Sequence, residues 1–205
     1  MQTVAQRRLA NEYRLLERAL PTLTQFVRAL EHRGAPPTLH RFELLPFGFL
    51  VATRGPEPEP YAVAAHGSAT LVAATDPRVH PQQPWRVWIQ MQHPHVPFSP
   101  HIGTRDLARG AVCWTDAQKG YGIGDWPVHC VLIQSLRILA GEAVAFEGYA
   151  LNEDAKAWCA RNRQRMPLAR VPEPNDPHLQ LPIRAPANAR TTAASNLGIE
   201  FGDIS

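Results

Sequence analysis

The sequence predicts an α+β fold with helices on one face of an antiparallel sheet. Three observations carry this. Helical periods open and close the chain, short alternating segments separated by turn residues fill its middle, and those strands run in sequence before the helices. At 205 residues the chain accommodates one domain of ordinary size plus extensions.

Residues 2–20 form the first expected helix. Leu9, Tyr13, Leu16 and Leu20 fall on one stripe of a 3.6-residue period, and Arg7, Arg8, Arg14 and Arg18 lie largely off it. Pro21 ends it. A second short helix is expected near 22–33, from Leu23, Phe26, Val27 and Leu30, with Gly34 as its stop. Residues 42–45 and 48–53 read as two short strands split at Pro46, followed by a Gly/Pro-rich turn at 54–60. Residues 61–65 and 69–74 form one strand bent at His66-Gly67-Ser68, or a hairpin. A loop runs from Asp76 to Pro84. Trp85, Val87, Ile89 and Met91 then alternate on one face of a strand. The expected result is a four-stranded meander.

Two helices follow, at 128–139 and 152–166. The first carries Val128, Val131, Leu132, Ser135, Leu136 and Leu139, a face wide enough to lie on a sheet. The second has Asn152 as N-cap, acids at its start, and Arg161, Arg163 and Arg165 near its end. The domain is expected to span 1–167. From 168 to 205 the chain is rich in proline and alanine without a period, as expected of a tail that is disordered when free. Its one apolar cluster is Leu197-Gly198-Ile199-Glu200-Phe201.

Composition excludes several classes. A net charge of +3 without a Lys/Arg block argues against nucleic acid as a partner. No apolar run is long enough to span a membrane, and the first residues show no secretory signal, so a cytoplasmic location is expected. Cys113, Cys130 and Cys159 have no framework spacing, which fits free thiols in a reducing compartment. No cofactor motif is present. The glycines of 119–124 lack the strand-before, helix-after setting of a phosphate loop. His93, His95 and His101 are close enough in sequence for a zinc site, but the prolines among them work against converging ligands, and no metal is expected.

Several landmarks in order resemble the ubiquitin-conjugating (UBC) family. Arg8-Leu9-Ala10-Asn11-Glu12-Tyr13 resembles its opening helix. Gly55-Pro56 with Pro60-Tyr61 resembles a turn between its strands. Trp85-Arg86-Val87-Trp88-Ile89 leading to His93-Pro94-His95 resembles its fourth strand and His-Pro-Asn motif. Gly110-Ala111-Val112-Cys113 resembles Gly-x-Ile-Cys, and Trp126-Pro127 resembles Trp-Ser-Pro before a helix. Leu151-Asn152-Glu153-Asp154 resembles the entry to its third helix. The resemblance covers roughly residues 5–167. It departs from the family in three ways. His95 stands where Asn is usual, 20 positions separate His93 from Cys113, and Ser99-Pro100-His101-Ile102 looks like a second copy of the motif. These point to a divergent, bacterial branch.

The resemblance implies a conjugating enzyme. Cys113 would accept a ubiquitin-like modifier from an activating enzyme as a thioester, then pass it to an amine of a target protein. Antiphage defence is the nearest bacterial context. A cysteine thiol near pKa ~8.5 is a strong nucleophile without a dedicated base. His95 or His101 would take the oxyanion role of the family Asn, since an imidazole N–H can donate a hydrogen bond. One such donor is worth roughly 3–4 kcal/mol in the transition state. Glu147 is an acidic candidate beside the incoming lysine, with Asp116 and Asp125 behind it. Arg7, Arg8 and Arg14 would face the activating enzyme. The alternative is a catalytically silent UBC-like binding or scaffold module. A cysteine hydrolase pairing Cys113 with a histidine is a third possibility.

Overall fold

The computed structural model describes residues 4–35, 37–53, 61–76, 85–104, 109–114, 126–142, 150–165, 169–172 and 174–179. It is an α+β arrangement of an N-terminal helix, a four-stranded antiparallel sheet and further helices. The elements are α1 (Val4–Ala19), β1 (Val27–Arg33), β2 (Thr38–Thr53), β3 (Tyr61–Thr75), β4 (Arg86–Met91), α2 (Val128–Leu139) and α3 (Glu153–Arg161). The sheet order is β1-β2-β3-β4, a plain meander.

Leu9, Leu16 and Ala19 of α1 are buried, as its stripe requires. Glu12 is buried on the same face. Burial raises its carboxyl pKa, and the Arg8 guanidinium, 3.0 Å away, opposes that rise. Arg8 is therefore engaged within the helix, whereas Arg7 and Arg14 are exposed.

The expected second helix at 22–33 is not formed. Residues Leu20–Leu23 make a short 3₁₀ turn, and Val27–Arg33 is the edge strand β1. Its apolar spacing also fits a helix, but pairing with 39–44 of β2 satisfies its backbone and overrides that local preference. Arg28, Glu31 and Arg33 are exposed along it, as suits a sheet edge, and Arg28 pairs with Glu43 across the strands at 3.0 Å. The split at Pro46 is likewise absent. β2 runs through it, with a bulge: Leu44 pairs with Ala69 but Phe47 with Gly67, so one extra residue is taken up there. A bulge tolerates a residue lacking the N–H. β3 continues through His66-Gly67-Ser68 as one strand.

α2 is the central helix. Its six expected core residues are buried, and so are His129, Cys130, Ile133 and Ile138. It packs in one core with Leu16 of α1, Phe42, Leu71 and Ile89 of the sheet, and Val171. A smaller cluster of Leu50, Phe98, Ala155, Trp158 and Cys159 holds α3 beneath the far ends of β2 and β3. α3 starts where expected, with the Asn152 side chain accepting from the Ala155 N–H at 3.1 Å, but ends at Arg161. Arg163–Arg165 is a 3₁₀ turn, and Arg165 lies over the Trp158 ring.

The domain does not stop at 167. The Ala169 N–H donates to the Ala140 carbonyl at 3.1 Å, and the Val171 N–H to Glu142 Oε1 at 2.6 Å. Val171, Pro174 and Leu179 are buried, and Arg18 of α1 pairs with Asp176. Residues 169–179 thus strap α1 to α2. Composition concealed this, because the strap gains its order from slots on the domain. The rest of the expected tail, 180–205, lies outside the described residues, as do the turn at 54–60 and the loop at 77–84.

If the strap is part of the fold, Leu179→Ala lowers the unfolding free energy by about 2–5 kcal/mol, the range for a buried leucine. Urea denaturation of the full chain checks this, and an unchanged midpoint would return 169–179 to the tail.

Candidate active site around Cys113

The site is built by two antiparallel steps beyond β4. The Ile89 N–H donates to the Gly110 carbonyl at 2.7 Å, and the Val112 N–H to the Val87 carbonyl at 2.8 Å. Trp88 and Ala111 form a bridge pair. Residues 110–113 are thereby laid along β4. A second bridge joins Ile102 to Val112. Around it the Gly103 N–H donates to the Ala111 carbonyl at 2.9 Å, and the Cys113 N–H donates to the His101 carbonyl at 2.8 Å. Residues 101–103, within the long gap between His93 and Cys113, therefore pair back against the cysteine segment.

That register pairs His101 with Cys113. Ile102 and Val112 are both buried in the core, and the backbone bond from Cys113 to the His101 carbonyl joins their neighbours. His101 is buried, at 8% exposure, and Cys113 is half-buried. The His101 N–H donates to Ser99 Oγ at 3.3 Å, and the Pro100 carbonyl accepts from the Leu151 and Asn152 N–H groups, which ties this arm to the start of α3.

His93 and His95 are placed differently. The His93 ring stands edge-on to Phe49, with centroids 5.3 Å apart, and its Nδ1 accepts from the His95 N–H at 3.2 Å. His93 thus shapes the loop. The His95 residue is exposed. Arg109, which no sequence motif marks, donates from Nη2 to the Pro94 carbonyl at 2.7 Å and pins this turn to the cysteine arm. Gly110 has φ +80°, and a Cβ there would stand 2.4 Å from the Ile89 carbonyl oxygen. Trp114 donates from Nε1 to the Trp85 carbonyl at 2.8 Å, and its ring meets Trp126 just before α2. Asp116, Asp125 and Glu147 lie outside the described residues.

The three thiols are not equivalent. Burial pushes Cys130 up to about 12 and Cys159 up to about 11, so both stay protonated. Cys130 Sγ also sits 3.2 Å from His129 Nε2 inside the core, where burial lowers the histidine to about 4. Cys113 alone of the three reaches solvent. Among the described residues no group of three histidine, cysteine or acidic side chains could hold a metal ion, and no helix is long and apolar enough to cross a membrane.

No family model, curated protein or solved structure matches the chain.

Iodoacetamide applied to the folded protein at neutral pH is expected to alkylate Cys113 within minutes and to leave Cys130 and Cys159 unmodified until denaturant is added. Peptide mapping by mass spectrometry reads this. Equal labelling of all three would contradict the burial argument.

Proposed function

We propose that the protein is a UBC-like conjugating enzyme, in which Cys113 takes a ubiquitin-like modifier from an activating enzyme as a thioester and transfers it to an amine of a target protein. One observation carries this reading: the one thiol of the three that reaches solvent lies beside the edge strand of a four-stranded meander, its N–H bonded to the backbone of a buried histidine. The order of helix, meander, cysteine segment and two further helices supports it, since that order and the motifs along it resemble the UBC family.

The chemistry assigns His101 the oxyanion role in preference to His95. Attack of an amine on the thioester carbonyl puts negative charge on its oxygen. A donor already fixed in place stabilises that charge without reorganising. The His101 N–H donates to Ser99 Oγ and its carbonyl accepts from the Cys113 N–H, so its backbone is fixed beside the cysteine segment, whereas His95 is exposed on a loop. The thiolate then leaves, and the amine loses its proton to solvent or to an acid-base group nearby. Arg7 and Arg14 stand outside the Arg8–Glu12 pair and form the exposed face that would meet the activating enzyme. A bacterial antiphage setting belongs to this proposal through the family resemblance alone.

The test uses the cognate activating enzyme, modifier and ATP, with a quench lacking reductant. Wild type is expected to form a thiol-sensitive adduct that Cys113→Ala lacks. His101→Ala should charge normally and discharge to lysine about 10²–10³-fold more slowly, the loss typical of one oxyanion donor. His101→Asn should recover most of that loss, and His95→Ala should discharge as wild type does. No adduct on wild type, with the activating enzyme itself charged, would leave the silent binding module as the better account.

A further inference from the structure

Away from Cys113, the bulge in β2 opens a cleft of about 360 Å³. Its walls include Phe26, Leu44, Phe47, Leu136 and Leu139, with Gln25 and His66 as the polar groups at hand. Leu44, Leu136 and Leu139 belong to the main core, so the cleft reaches the core's margin. An apolar cavity of ~150 Å³ already holds a benzene-sized group. This one has room for two such side chains.

We propose that the cleft is filled by this chain's own Leu197-Gly198-Ile199-Glu200-Phe201. In an extended backbone Leu197, Ile199 and Phe201 share one face, and Gly198 and Glu200 the other. The segment thus offers a continuous apolar edge to an apolar slot. The strap anchors it a short way off. Ala169 lines the cleft itself, and the strap then follows α2 back toward its first turn, where the Leu179 backbone lies against His129. From His129 to Leu136 and Leu139 is about 10–15 Å along the helix. About 18 residues separate Leu179 from Leu197, enough for a typical coil end-to-end distance of ~23 Å. The segment is therefore tethered within reach, at an effective concentration on the order of millimolar. Docking covers the margin of the core between β2 and α2 and does not depend on the role of Cys113.

Disulfide trapping in the full chain tests this. Cys113→Ser removes the accessible thiol, and His66→Cys with Gly202→Cys supplies the pair. The control pair is His66→Cys with Ala189→Cys, in the polar part of the same segment. Under a glutathione buffer the first pair is expected to close within one chain at least about tenfold faster than the control. Adding Leu197→Asp and Phe201→Asp should bring it back to the control rate. Equal rates for the two pairs would overturn the proposal. Cross-links found only between chains would overturn it too, by giving the cleft to a second copy.

Discussion

The site depends on how closely the cysteine segment approaches β4. Gly110 makes that approach possible. Its carbonyl accepts from Ile89, its N–H donates to the Gly103 carbonyl at 2.8 Å, and its φ of +80° lies where L side chains are strained. Any Cβ would enter the Ile89 carbonyl oxygen. Because glycine fits, Ala111 and Val112 are held against β4 by backbone bonds. Val112 is buried in the core and Cys113 is half-buried beside it. Cys113 is thus placed by backbone pairing and not by a free loop.

Burial sorts the remaining chemistry. Cys130 and Cys159 carry the same thiol as Cys113 but sit in apolar surroundings that hold them protonated. His40 stacks between His32 and Phe42, beneath Tyr13 and against Trp85, and burial, with His32 beside it, lowers it to about 3. His129 behaves likewise. These two histidines are neutral core groups at neutral pH. In the unfolded chain they take up protons as the pH falls through about 6.5, whereas in the folded chain uptake is delayed to about 3–4. The folded state therefore loses stability progressively as the pH falls from the first value to the second.

Much of the scaffold was legible because it is periodic. The apolar positions of α2 named its core face, and alternation at 85–91 named β4. Elsewhere spacing alone could not decide. Residues 22–33 fit a helix by spacing, and only the pairing with β2 makes them a strand. Pro46 looks like a break, but a bulge absorbs it. Residues 169–179 have no period, and it is the slots for Val171, Pro174 and Leu179 that order them. Of the site, the sequence pointed to Cys113 and to two histidines without choosing between them. The proposal of His101 over His95 rests on the Ile102–Val112 register, which local sequence does not encode. The role of Arg109 was hidden for the same reason, since its partner is a backbone carbonyl fifteen positions away.

The most direct measurement is the mass of the Cys113→Ser variant recovered from the cells that normally make the protein. A hydroxyl in the nucleophile's place would trap the acyl group as an oxyester, which resists turnover better than a thioester. The account predicts that a fraction of this variant carries a ubiquitin-like modifier, ester-linked at position 113, released by mild base and absent from Cys113→Ala. Recovery of only the unmodified mass, from cells in which the modifier and its activating enzyme are expressed, would contradict a thioester-forming Cys113.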